Sequence, residues 1–509
     1  MQRRTFLTAL TATAGVAGLT ACGGDDSGGS ADTSTLTLAA IAAPQPWDLK
    51  DAGLGNNTLY YQPVYDSLLL LTPDAELVPN LATEWTYDES ATALTLTLRE
   101  GVTFTDGTPF DATAVKANLE HTKTGANEAA TNLASVAGVD VVDATTAVVR
   151  LSAPDPSLLS NLATVPGMMA SPVAITGGNL ATTPVGTGPY VLAAQGTTAG
   201  SQYTFTRNSD YWNTDAFPFD TVVLRYMSDA TALANALRSG QIDGGQITDF
   251  KNGAALQNSD LNVVEYAPGD VDGLYIWDRA GQIVPALADV RVRQALNHAF
   301  DRAALVESAK GGLGTPTTQV FNPESDVYDE ALNDRYPYDV AKAKALLAEA
   351  GYADGFDVTM LDLSNGFPAA QAALTEALAA IGVRASYETV PADQIINELL
   401  SGRFPMGYFI LASFRPWDTV QIQFKPDSLW NLSRYEDPAA SDLIQRAQSA
   451  PSDDEREVLL QQLNTYTVEQ AWNAPWTALT AYYASSQDVT VQMRTFATGP
   501  WLYDFEPAQ

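Results

Sequence analysis

The chain is poor in the residues that carry covalent and metal chemistry. Of 509 residues one is cysteine and two are histidine, so an internal disulfide is impossible and a thiolate or histidine metal centre lacks its ligands. No G-x-S-x-G turn and no H-E-x-x-H helix occurs, and His121 and His298 fall on predicted helices without a nucleophile beside them. Paired-carboxylate hydrolysis stays open, because 60 acidic residues offer some pairing anywhere. Basic residues are scarce as well: 27 Lys and Arg face 60 Asp and Glu, for a net charge of −33. A phosphate backbone would be repelled, which excludes nucleic acid as a partner. No repeat of solenoid or propeller period is seen.

What is present begins at the N-terminus. Arg3-Arg4-Thr5-Phe6-Leu7 precedes a weakly apolar run to Leu19, and Leu19-Thr20-Ala21-Cys22 follows. The run is shorter than the roughly 18 apolar residues a spanning helix needs, and threonine and glycine interrupt it. Basic start, short apolar middle and small residues before a cut make an export signal over 1–21. The cysteine resembles that of a bacterial lipobox, and the paired arginines resemble a twin-arginine leader. The mature chain would begin at a lipidated Cys22, anchored to the membrane by its acyl chains, with a flexible Gly/Asp/Ser tether over 22–35. Loss of Arg3 and Arg4 takes the charge to −35 and leaves 488 residues, enough for two or three lobes. The acidic surface either keeps an exported protein soluble or steers cationic ligands.

Patterning implies an α/β protein. Leu94-Thr95-Leu96-Thr97-Leu98 alternates as a strand, and Asp106-Gly107 turns the chain toward a helix capped by Asp111. Asp339 and Ser452 cap two further predicted helices. Strand–helix–strand succession from about 340 to 415 predicts a parallel lobe, with Met406–Leu411, uniformly apolar, as its buried central strand. The aromatic-rich, strand-like segment from Thr480 to Phe505 is expected to return to an earlier lobe.

Several phrases, taken in order, resemble the extracytoplasmic solute-binding proteins of peptide/nickel-type ABC importers. They are Tyr65-Asp66-Ser67-Leu68-Leu69, the stretch from Leu98 to Ala112, Gly186-Thr187-Gly188-Pro189-Tyr190, Arg207 to Trp212, Leu237 to Asp243, Asp289 to Leu296, and Lys342 to Tyr352. The resemblance implies a two-lobed periplasmic-binding-protein-like clamp of class II type. The first lobe would span 36–275 with an inserted subdomain at about 56–180, the second 276–480, and 481–509 would return to the first. It also implies an ABC permease partner, an extracytoplasmic monomer, no catalysis and no cofactor. Metal-chelate binding, a hydrolase or a sensor on the same fold are the alternatives. Gly186 to Tyr190 lacks the Lys-Ser/Thr ending of a phosphate cradle and reads as a turn. Arg291, Arg293 and Arg302 read as surface pairs along a helix.

Candidate ligand groups are aromatic platforms and polar tips near the expected cleft. Arg415, Trp417 and Asp418 follow the apolar strand; in peptide-binding relatives an aspartate of the corresponding segment pairs with the ligand's amino terminus, and Asp418 stands at about that place. Thr419 replaces the usual proline, which departs from the peptide pattern. Tyr275, Trp277 and Asp278 stand at the expected crossing between lobes. Trp47, Asp48, Asn57 and Tyr61 form a third group, and Asn365 and Phe367 lie in a loop that opens a helix. Each has a structural reading beside the functional one: core packing for the aromatics, caps for the carboxylates.

Overall fold

Alternation in Thr35–Ala40 buries Leu36 and Leu38 and seats this strand inside a seven-stranded mixed sheet. The computed structural model describes residues 34–391, 394–413 and 415–508; the leader, Cys22, most of the tether and Phe414 lie outside the described residues. Thr35–Ala40 runs parallel to Thr221–Tyr226 and meets Gly244–Ile247 on its other side. Ala481–Ser485 lies between Gly244–Ile247 and Asn262–Tyr266, antiparallel to both, which brings the C-terminal segment into the first lobe's sheet.

The subdomain is a four-stranded antiparallel sheet in the order Ala82–Tyr87, Ala93–Leu98, Thr146–Leu151, Val136–Asp143. Leu94, Leu96 and Leu98 are buried on one face, in one cluster with Val115 and Leu119 of helix Ala112–Thr122. Asp111 caps that helix by accepting from the Thr113 and Ala114 amides. The Gly186–Tyr190 turn packs backbone to backbone: a Cβ on Gly186 would stand 1.9 Å from the Val64 carbonyl oxygen.

The second lobe's sheet has the order Thr315–Pro316, Ala474–Ala478, Asp270–Ile276, Met406–Ala412, antiparallel throughout. Its two faces bury different cores. Leu274 and Ile276 join Val292, Leu296 and Phe300, whereas Tyr275 joins Trp417 and Phe424. Asn262–Tyr266 and Asp270–Ile276 are consecutive yet belong to different sheets, as do Ala474–Ala478 and Ala481–Ser485. The chain therefore crosses at 267–269 and at 479–480, and the crossings touch where the Leu479 amide donates to the Asp270 carbonyl at 2.8 Å.

Four expectations are corrected. Asp270–Ile276, assigned to the first lobe by a boundary at 275, is an inner strand of the second, because its alternate residues have two cores to fill. Among the described residues, parallel pairing in this lobe is confined to Asp357–Leu361 with Arg384–Glu388. Met406–Ala412 is apolar because both its faces are covered, but it is the end strand of its four-stranded ladder. Arg293 and Arg302 are buried: Arg293 donates to the carbonyls of Leu287, Ala288 and Gln470, and Arg302 to those of Thr317, Pro475, Asn297 and Tyr336. Arg291 alone of the three forms a surface pair, with Asp289.

Candidate functional site

The lobes meet where the turn Pro154–Ser157 of the subdomain faces the segment after Met406–Ala412. Ser157 Oγ donates to Asp418 Oδ1 at 2.5 Å, Gln421 Nε2 to Asp155 Oδ1 at 3.3 Å, and Gln448 Nε2 to the Pro154 carbonyl at 2.9 Å. Asp155 is held in place by the Ser135 hydroxyl and by the Ser157 amide. Asp418 lies in the short helix Pro416–Thr419, which Arg415 precedes and whose start Pro416 favours. The seam thus gathers one cation and two carboxylates. Burial pushes the Asp418 carboxyl up, and the nearby Asp155 charge adds to this, while Arg415 and the Ser157 hydroxyl pull it back. Burial lowers the Arg415 guanidinium, with Asp418 opposing. Trp417 is buried beside them with its indole N–H lacking an acceptor.

At the base of the clamp, Lys310 pairs with buried Asp272 at 2.8 Å, and the Tyr408 hydroxyl donates to the same Asp272 oxygen at 2.9 Å. Asp270, beside the crossing, is pushed up to about 6 by burial.

The remaining predicted residues do not join this seam. Trp47 packs edge-on against Tyr61, Tyr203 and Phe205 in the first lobe's core, and the Tyr61 hydroxyl donates to the Pro46 carbonyl. Asp48 binds His121 at 2.6 Å, tying the subdomain helix to the mature N-terminal region. Trp277 and Tyr275 fill the second lobe's core, the Tyr275 hydroxyl donating to Val271. Asp278 closes a turn by accepting from the amides of Gln282, Ile283 and Val284, each at 2.7 Å. In this structure these six residues pack and cap: the rings lie in cores and the carboxylates are bonded within the protein, while the Trp277 indole N–H is buried without an acceptor. Asn57 borders Gly53 and keeps a buried oxygen without a donor. Asn365 is exposed, and Phe367, also exposed, meets Tyr408 edge-on at 5.4 Å.

Sequence reasoning missed Asp155, Ser157, Gln421 and Gln448. The only local signal was Asp155-Pro156 as a turn, which says nothing of a partner 261 positions away. A cavity of about 50 Å³ lies in the first lobe beside Ala40, Gln246 and Tyr483, room for a water or two. A groove of about 870 Å³ runs past Phe104, Val185, Leu192 and Asn208 and takes no residue from the second lobe. Among the described residues no three of His, Cys, Asp and Glu gather as metal ligands, and no helix is long and apolar enough to cross a membrane.

Residues 76–422 match the model of the bacterial extracellular solute-binding proteins, family 5 middle region. The glutathione-binding protein GsiB of Salmonella paratyphi A is 34% identical over 343 residues, which is 66% of this chain and 65% of that relative. GsiB of Escherichia coli K12 is 30% identical over 402 residues, 75% of this chain and 77% of the relative. Among solved structures, the periplasmic binding protein DppA of Helicobacter pylori in complex with the peptide STSA superposes with a TM-score of 0.80 at 22% identity, covering 93% of this chain and 98% of that one. NikZ of Campylobacter jejuni in complex with Ni(L-His) gives 0.76 at 20%, covering 93% and 99%. These two establish the bilobed type II clamp. The chain belongs to the bacterial extracellular solute-binding proteins of family 5: an extracytoplasmic transport component and not an enzyme, which holds a small solute between its lobes for an ABC permease.

Proposed function

We propose that the solute is a short peptide or peptide-like molecule, and that the protein captures it at the seam around Asp418. The observation that carries this reading is that Asp418, which the sequence sets at about the place of the aspartate that takes an amino terminus in peptide-binding relatives, bonds to Ser157 of the opposite lobe. The relatives named for glutathione binding support the same chemical class. An ammonium group between Asp418 and Asp155 would offset the repulsion between their two carboxylates and, with Arg415, balance their charge.

The mechanism is capture by closure. Solute binds first to one lobe, the chain bends at 267–269 and 479–480, and the opposite lobe adds its contacts. A micromolar solute contributes about −8 kcal/mol, and moving an open-to-closed ratio from 1:99 to 99:1 takes about 5.5 kcal/mol of preference. Such an affinity drives closure. The closed form then docks on the permease, the protein remaining leashed outside the cell by lipid on Cys22 after export by the twin-arginine route. Mass spectrometry of the solute that co-purifies after gentle extraction tests the reading: a peptide or amino-acid conjugate supports it, and a glycoside or an aquo metal ion defeats it.

A further inference from the structure

We propose that Asp270 makes the hinge of the clamp proton-sensitive, a proton on its carboxylate favouring the closed form and its loss the open one; this rests on the closure reading above. Asp270 opens the strand Asp270–Ile276 directly after the 267–269 crossing. Its carbonyl accepts from the Leu479 amide at 2.8 Å, which is where the two crossings touch. Gly269, before it, takes φ +81°, a bend that suits glycine, and the Gly269 carbonyl accepts from the Ser413 amide at 2.5 Å. A rotation of one lobe against the other turns about this point.

The Asp270 carboxylate is half-buried and, among the described residues, accepts no hydrogen bond and forms no ion pair. Its charge acts on rings of both lobes: Tyr266, the last residue of the first lobe's strand Asn262–Tyr266, and Tyr275 of its own strand. The Tyr266 hydroxyl is held by the Thr498 carbonyl at 2.6 Å, so that ring moves with the first lobe. Burial pushes both phenols above their usual range, and neither ionises near neutrality. The other charged groups on the surrounding elements are engaged elsewhere. Asp272 pairs with Lys310 and accepts from Tyr408, Arg415 feels Asp418, and Glu265 is exposed on its strand beside Tyr482. Ala474–Ala478 and the 479–480 crossing carry no ionisable side chain.

Burial alone therefore sets the proton affinity of Asp270, raising its pKa from 3.8 to about 6. Parting the lobes draws Tyr266 away and admits water to the crossing, which returns the carboxyl toward its ordinary value. The form with the higher pKa gains on protonation, so closure is favoured as pH falls through about 6. Asp66, also pushed up to about 6, has no such role, because its partners Tyr211, Trp212 and Tyr503 pack with it in the first lobe.

The test counts open and closed molecules of the solute-free full chain by single-molecule energy transfer. Dyes sit on Val142→Cys of the subdomain and Val458→Cys of the second lobe, both exposed, with Cys22→Ser removing the remaining thiol. Asp270→Asn mimics the protonated state, and Asp418 titrates alike in both proteins, so the comparison is between them. At about pH 7.5 the variant is expected to be the more closed. Between about pH 7.5 and about pH 5 the wild-type closed-to-open ratio is expected to rise about tenfold more than the variant's. Ratios that change in parallel, or a wild type that stays flat, overturn the hinge assignment while leaving closure standing. Returning the co-purified, mass-identified solute to the wild type at about pH 7.5 separates the two readings: molecules that hold solute yet stay open defeat closure and this inference with it. Should Asp270→Asn fail to fold, Asp270→Ala takes its place, and a pH response in it equal to the wild type's overturns the proposal.

Discussion

The hydroxyl of Ser157 donates to Asp418 Oδ1 at 2.5 Å across 261 positions of sequence, joining the subdomain of one lobe to the cleft segment of the other. With the Gln421–Asp155 and Gln448–Pro154 bonds it forms a seam of three polar contacts, two of them to carboxylates.

That seam predicts the effect of Ser157→Ala. A hydrogen bond to a charged group is worth about 1.5–3 kcal/mol, so the variant should favour the open form and bind solute about tenfold more weakly. Calorimetry measures the affinity and small-angle scattering the shift toward an expanded profile. An unchanged affinity with an unchanged profile would remove the seam from the mechanism.

Asp270→Asn should stabilise the protein above neutrality. Burial raises the folded-state pKa of Asp270 from 3.8 to about 6, so the folded state holds this proton more tightly than the unfolded one. Its contribution to stability is present below about pH 4 and is lost as pH rises through 6. The amide removes that loss, for a gain on the order of 2 kcal/mol at pH 8 that vanishes near pH 4. Urea unfolding of both forms at the two pH values measures it.

Arg494→Ala should be costly. Arg494 and Asp504 form a buried ion pair, and Arg494 also donates to the Leu71 carbonyl, so the C-terminal turn is fastened to the first lobe. Removing the cation leaves Asp504 buried and unpaired, at about 3–5 kcal/mol. Hydrogen exchange should rise first in the strand pair Val489–Val491 and Phe505–Pro507.

Arg302→Lys should fail to replace arginine. One guanidinium satisfies four carbonyls from four separate parts of the second lobe, a geometry that a point charge on a flexible stem does not reach. We expect the melting temperature to fall nearly as far as in Arg302→Met.

How much of this was legible follows from the range of each interaction. The caps at Asp111, Asp339 and Ser452 act within three residues and were readable from sequence, as was the burial of Leu94, Leu96 and Leu98 on alternate positions. The crossing strand was misplaced because Asp270–Ile276 is buried on both faces, and burial does not say which sheet a strand joins. Arg293 and Arg302 were misread because their carbonyl partners carry no side-chain signature. At the site, Arg415, Trp417 and Asp418 could be read as a cluster from their adjacency, but Ser157 could not, since only the folded chain brings it to Asp418. Trp47, Tyr275 and Trp277 could be named as aromatics near the expected cleft, but their membership of core clusters depends on neighbours that only folding supplies.

The account rests on closure around a retained solute, and scattering tests that most directly. Full-length protein stripped of solute by partial unfolding and refolding is measured before and after the mass-identified solute is returned. The radius of gyration should contract for the wild type and stay unchanged for Asp418→Ala. A wild-type profile that does not contract with bound solute, or recovery of the solute in chemically altered form, would contradict it.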